Sequence, residues 1–400
     1  MPTNPSLLIV PYRFKAAKLY SQLPESGAGD FVVTRSTTAT RTNASGLLES
    51  VASGVPRLDY QGGGCPALLV EPAATNLFQN SEWAGGGSTP SGWSTPFSTG
   101  TSAAATSTLN PSVAAYLLTT AGTRMVFSQN ISQTSGTVYT LSVYVEQVVS
   151  GSLSVDNLLG YNFSVAGIAT YLEDGIVVGS SHLVQSGKRY SLRITAPSTA
   201  SVQTRVGNGI GAVATASVRL SMPQIETGSV STSFILSPIG STATRNADVI
   251  SVSSVSGLIG QTQGTLYAEV DVRNFQVNGR ILAISDDSSG NRVVLVLNTS
   301  SRITAIVSEG AVSQANINTS SLPTGIYKIA FAYAANDFVL YVNGSQIGTD
   351  TSGTIPACSS IYLGKQESSS SSNFLNDRIR AAAIYTSRLS NAELETLTTL

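Results

Sequence analysis

Phe338-Val339-Leu340-Tyr341-Val342-Asn343-Gly344 is the stretch that decides the fold class. Five apolar residues in a row read as a strand. Asn-Gly then supplies two residues that tolerate the positive φ of a type I′ turn, the strongest short hairpin signal. Just upstream, Ile329, Phe331 and Tyr333 fall on one face of another strand, because side chains alternate along extended backbone. Downstream, Ile361-Tyr362-Leu363-Gly364 and Asp377–Tyr385 supply two more strands. A short helix closes the chain. Ser390 is its expected N-cap, Glu393 completes a capping box, and Leu389 and Leu394 are placed as a hydrophobic staple.

The same alternation runs through the middle of the chain. Tyr139, Leu141, Val143 and Val145 share a strand face. Further strands are expected at Ala115–Leu118, Met125–Ile131, Ile176–Val178, Tyr190–Ile194, Val202–Val206 and Ala216–Leu220, punctuated by Gly136, Gly151, Gly175, Gly187 and Gly207. Short strands at this spacing indicate a sandwich or jelly roll over 77–236. Residues 237–249, rich in Ser, Gly and Val, read as a linker before a sandwich over 250–400. Ser241-Thr242-Ala243-Thr244-Arg245-Asn246-Ala247 echoes Ser36–Ala44, and the echo marks the boundary. The fold class is all-β.

Composition narrows the function. The 400 residues are 42% hydrophobic and 11% charged, with net charge −1. Typical soluble domains are about 25% charged. The low charge suits a structural or extracellular β protein better than a metabolic enzyme. Nucleic-acid binding needs a basic stripe, and Arg13, Lys15 and Lys18 are only scattered. Leu7–Val10 is too short to span a membrane. Cys65 and Cys358 stand far apart and read as small buried hydrophobes rather than a disulfide framework.

Phe31–Ser81 is different in kind, a run of short apolar patches broken by Gly, Pro, Asn and Ser. Its pattern is Thr34, Arg35, Ser36, Ala39, Thr40, Gly46, Leu47, then Val55, Pro56, Arg57, Asp59, Tyr60, then Leu68, Leu69, Glu71, Pro72, Thr75, Asn76, Leu77, Asn80, Ser81, Glu82. This resembles the segment that opens many tailed-phage virion proteins, ahead of a carbohydrate-binding-module-like jelly roll. Met222–Gly228 with Ser233-Phe234-Ile235 is similar to the closing strand of such a jelly roll. The C-terminal order FVLYVNG, IYLG, DRIRAAAIY, LSNAELETL resembles the second half of a laminin-G-like, concanavalin-A-like sandwich.

The resemblance implies an extended virion-attachment segment over 1–76, with Leu8, Val10, Tyr12 and Phe14 as its contact residues. It implies a non-enzymatic fibre, spike or decoration of head or tail, located in the virion. Its partners would be other virion proteins and further copies of itself, a trimer being the natural appendage. Host-surface glycans are a further expected partner. A dedicated glycan-binding adhesin and a polysaccharide depolymerase are the alternatives.

Four places could carry chemistry. Glu269 and Asp271 share a strand face, as glycosidase carboxylates do, but Arg273 or Asn274 stands where a third acid is needed. His182, the sole histidine, is expected at a solvent-facing or satisfied strand position. Asp286-Asp287-Ser288-Ser289-Gly290-Asn291 offers oxygen ligands for calcium, though turns use the same residues for themselves. Trp83 and Trp93, close together in a Gly/Ser/Pro-rich loop, could stack on a pyranose or could open the jelly roll. No cofactor other than calcium is suggested.

Overall fold

The structure is a computed structural model that describes residues 4–162, 169–275, 279–368 and 372–400. Its described regular structure is strand, apart from one 3-10 turn and the helix Asn391–Thr398. The chain divides into two compact units: residues 1–46, 50–73 and 246–400, and residues 47–49 and 74–245. In chain order, the second unit is an insertion in the first.

The first unit is a two-sheet sandwich of antiparallel strands. One sheet runs Ser345–Asp350, Asp337–Val342, Gly325–Ala334, Gln263–Val272, Asp377–Tyr385, Ala67–Val70, Leu58–Asp59. Leu7–Ile9 also joins it, with Leu7 opposite Ile384 and Ile9 opposite Ala382. Leu68–Val70 pairs with Asp377–Ile379 of the same strand. The outer edge of the last strand is therefore covered by two separate pieces of the first seventy residues. Uncovered edges invite non-native pairing. The other sheet begins with Phe14–Lys15, Lys18–Leu19 and Phe31–Thr34 and continues through Val249–Val252 to Val312–Asn318. Leu7, Ile9, Leu19, Phe31, Val33, Leu68 and Val70 enter one core with Leu266, Phe331, Leu340, Ile361 and Ile384.

Of the expected attachment segment 1–76, residues 1–46 and 50–73 thus belong to this sandwich. Its motif is a buried ion network. Arg35 Nη1 lies 2.7 Å from Asp248 Oδ1, and Arg57 Nη1 lies 2.6 Å from Glu71 Oε2. Arg57 also pairs with Asp248, and Arg378 Nε reaches Asp59 at 3.1 Å. Burial opposes the charge on Arg57, but Asp248 and Glu71 outweigh it and hold its pKa above the usual guanidinium range. The expected linker 237–249 is exposed over 238–242 and anchored near its ends, where Ser237 and Asp248 are buried and Val249 starts a strand.

The second unit packs a seven-stranded sheet and the three-stranded sheet Met125–Gln133, Ala200–Asn208, Leu159–Tyr161 around one core. The chain enters and leaves it through paired strands, Ala74–Asn76 against Ala243–Arg245. The sequence echo at Ser241–Ala247 falls on that exit.

Local expectations hold where periodicity carried them. Asn343 and Gly344 both adopt positive φ, 47° and 78°. Ser390 and Glu393 form both halves of the capping box. Cys65 departs from expectation: it is exposed in a glycine-rich turn, while Cys358 is buried and its thiol is pushed up to about 12 by that burial.

Candidate functional site

The three-stranded sheet of the second unit carries the candidate site. Alternation sends Phe127, Ile131, Val202 and Val206 into the core. It leaves Asn130, Gln203 and Arg205 on the other face. Met125–Gln133 pairs with Ala200–Asn208 throughout, and Leu159–Tyr161 flanks the latter. On the opposite edge Ser94 bridges to Ser128, with their hydroxyls 2.8 Å apart.

A groove of about 350 Å³ opens on this face, lined by Leu77, Gln79, Ser94, Ser128, Asn130 and Gln203 among others. Its wall is held by an amide exchange. Gln79 N donates to Gln129 Oε1 at 3.0 Å, and Gln129 Nε2 donates back to Gln79 O. Gln203 is gripped by Arg205, whose Nε and Nη2 reach its Oε1 at 3.0 and 2.7 Å. Arg205 Nη2 also donates to Asn162 Oδ1 at 2.8 Å. Burial, and then the charge of Arg124, lower the Arg205 pKa.

Phe97 completes the arrangement. The Arg205 guanidinium sits 5.6 Å from its ring centroid, and Phe97 is 74% exposed. Its φ of 57° lies in the left-handed region that bulky residues avoid,. An aromatic ring held outward at a strained position costs about 1–3 kcal/mol, which burial does not offset. The sequence reading missed this ring. Its signal was an aromatic in Ser94-Thr95-Pro96-Phe97-Ser98-Thr99-Gly100, outside any alternating pattern. Asn130, Asn162, Gln203 and Arg205 carried no signal, since amides and cations on strands are ordinary.

Trp93 also lines this groove, but the expected Trp83–Trp93 pair does not form an exposed platform. Trp83 and Trp93 are 1% and 7% exposed. They meet edge-on at 5.8 Å, and Trp83 makes like contacts with Tyr116 and Phe127. Trp93 Nε1 donates to Asn80 O at 3.0 Å. Trp83 is enclosed, and Trp93 shows the groove only what little of its ring the core leaves uncovered. Their packing agrees with the other expectation, that these tryptophans open the jelly roll.

The acidic turn does not fit calcium. Asp286 accepts from Ser288 N at 3.0 Å and Asn291 Nδ2 at 2.8 Å. Asp287 accepts from Tyr362 Oη, Ser368 N and Ser368 Oγ, each at 2.6 Å. Burial alone would raise both carboxyls, but these hydrogen bonds hold them below their usual range. A calcium ion needs six to eight oxygens, and these are spent on protein donors. Among the described residues no group of three or more His, Cys, Asp or Glu could hold a metal.

Glu269 pairs with Arg380 Nε at 2.7 Å, and Asp271 takes a two-pronged contact from Arg273 at 2.8 and 2.7 Å. His182 lies in a turn rather than on a strand, and its Nε2 is 2.6 Å from Glu173 Oε2. Burial pushes Glu173 up, but hydrogen bonds from Tyr190 and His182 and the charge of Lys188 bring it below its usual range. Of the four expected attachment residues, Leu8 and Phe14 pack against the first unit, while Val10 and Tyr12 are exposed.

Residues 244–395 match the family model of the concanavalin A-like lectin/glucanases superfamily, the laminin-G type. No curated protein matches the chain. Among solved structures, the CBM40 module of the Ruminococcus gnavus IT-sialidase bound to α2,3-sialyllactose is 16% identical, with TM-score 0.34, covering 38% of this chain and 92% of that one. Domain 4 of an extracellular GH43 arabinanase from Geobacillus stearothermophilus, in complex with arabinotriose, is 16% identical, with TM-score 0.31, covering 38% and 73%. The heptameric SAP-like pentraxin from Limulus polyphemus is 16% identical, with TM-score 0.27, covering 34% and 68%. At these values no residue role is transferred.

Proposed function

We propose that the chain is a non-catalytic, lectin-type glycan-binding protein whose sugar site is the groove beside Phe97. The carrying observation is the exposed Phe97 ring, backed by Arg205, which in turn holds Gln203 on the wall of a groove lined by amides, hydroxyls, Leu77, Trp93 and Ile131. A pyranose needs an apolar face to stack on and donors and acceptors for its hydroxyls. Phe97 supplies the first, and Asn130, Asn162, Gln203, Ser94 and Ser128 supply the second. No carboxylate lines the groove among the described residues, and both members of the Glu269–Asp271 pair are engaged by arginines. Both facts favour binding over hydrolysis.

The test is a glycan array followed by calorimetry on the best hit. Phe97→Ala is expected to weaken binding by roughly 10-fold or more, as loss of an aromatic contact of about 1–3 kcal/mol implies. Arg205→Ala is expected to follow it. Binding unchanged in both variants overturns the site, and release of reducing sugar from the bound glycan overturns the non-catalytic reading.

The biological setting we propose is a projecting component of a tailed-phage virion, assembled as a homo-oligomer of trimeric type. Its support is the resemblance of Thr34–Glu82 to virion proteins. Light scattering of the purified chain tests the trimer. Immunogold labelling of particles tests the setting, and particles that carry no label overturn it.

A further inference from the structure

A second cavity lies in the first unit, within its first thirty residues. It measures about 590 Å³ and is lined by Tyr12, Arg13, Tyr20, Gln22, Glu25 and Asp30 among others. That volume is within the roughly 300–1,000 Å³ of small-molecule sites.

Most of the wall is already locked. Gln22 Nε2 donates to Val10 O at 2.9 Å, and its Oε1 accepts from Val10 N. Asp30 accepts from Ser21 N at 2.9 Å and Ser21 Oγ at 3.1 Å, and it pairs with Lys18 at 2.9 Å. Lys18 and Asp30 therefore neutralise each other. Three groups are left over. Tyr12 is 53% exposed. Arg13 lies 5.7 Å from the Tyr20 ring centroid, and its guanidinium makes no hydrogen bond or ion pair among the described residues. Glu25, exposed at the rim, is likewise without a side-chain partner there.

We propose that this cavity is a binding site for a carboxylate-bearing sugar of the hexuronate class. An unengaged guanidinium is a planar fork that matches a carboxylate with two parallel hydrogen bonds. Tyr12 offers an aromatic face for a pyranose, while the Tyr20 ring is held between Arg13 and Lys18, 5.7 and 5.6 Å from its centroid; Glu25 and Ser26 offer partners for the sugar hydroxyls. Glu25 also sets the ligand's charge. A phosphate dianion or a multiply acidic peptide would bring a second negative charge against it, whereas a uronate brings one charge and several hydroxyls. The ligand being a sugar rests on the glycan-binding reading above, but the site is separate and in the other unit.

The experiment is ligand-observed NMR and calorimetry on the full chain with sodium D-glucuronate, sodium D-galacturonate and methyl glucoside as the neutral control. Saturable binding of a uronate, weakened by salt and not matched by methyl glucoside, is expected. Arg13→Gln should weaken it by roughly 10-fold or more, and Arg13→Lys by less, because charge alone survives. No uronate binding, binding that survives Arg13→Gln, or equal binding of methyl glucoside overturns the proposal. Failure here with an active Phe97 groove sinks this site alone. Uronate binding at Arg13 with an inert Phe97 groove sinks the earlier site alone.

Discussion

The stretch from Thr34 to Glu82 closes both units, and it does so with opposite chemistry. In the first unit its Arg35, Arg57, Asp59 and Glu71 meet Asp248 and Arg378 in a buried charge network. In the second unit its Asn76, Asn80, Ser81 and Trp83 close the jelly roll with neutral groups. Asn76 uses its whole amide: Nδ2 donates to Ile235 O at 2.9 Å and Pro223 O at 3.3 Å, and Oδ1 accepts from Phe78 N and Ile225 N, both at 3.2 Å. Ser81 and Ser237 exchange hydrogen bonds at 3.0 and 2.9 Å. The difference teaches that one continuous sequence pattern can serve two unrelated energetic purposes. A buried charge must be matched by a charge in place, because removing one partner leaves the other desolvated. A buried amide is satisfied by backbone alone, and its loss costs less.

Both tryptophans belong to the second unit, so their fluorescence follows that unit while circular dichroism follows both. This gives a way to break the comparison. The largest effect is expected from removing residues 1–46, which belong to the first unit alone. Leu7, Ile9, Leu19, Phe31 and Val33 leave the core, at about 1.5–3 kcal/mol each, a loss comparable to the roughly 5–15 kcal/mol of a whole domain. The first unit should lose its cooperative transition while the tryptophan transition remains. A truncated chain that keeps both transitions would show that the segment is an appendage after all.

Next comes Arg57→Met, which takes the guanidinium away from Glu71 and leaves Asp248 with Arg35 as its cation. It should lower the stability of the first unit by about 3–5 kcal/mol in a denaturant titration, without shifting the tryptophan signal. Equal movement of both signals would break the comparison. Asn76→Ala is expected to cost the second unit about 1–3 kcal/mol, seen in tryptophan fluorescence. A cost as large as that of Arg57→Met would mean that neutral and charged closures are equivalent here.

The smallest effect is pH-dependent. Burial raises Asp377 from 3.8 to about 7, against the opposing pull of the Arg273 backbone N–H and of Arg378. Between these values the folded chain keeps a proton that the unfolded chain has released. Stability of the first unit from this group therefore falls as pH rises from about 4 to 7. Thermal melts of wild type against Asp377→Asn should show a difference that changes over that window and is flat above it. A constant difference across pH 4–8 would mean that Asp377 is ionised throughout.

The sequence by itself determined what a few neighbouring residues can encode. Alternation placed the strands at Tyr139–Val145 and Ile176–Val178, Asn343-Gly344 made its hairpin, and Ser390 and Glu393 capped the helix. Each depends on backbone geometry within one turn or one strand. Tertiary structure alone decided what those elements pack against. Leu7 pairs with Ile384 across almost the whole chain, and nothing local in either residue states its partner. Trp83 and Phe97 stand in one polar loop, yet the first is buried among Tyr116, Phe127 and Trp93 and the second faces solvent. Exposure depends on which distant surfaces exclude water from a side chain, and that is fixed only when the sheets close.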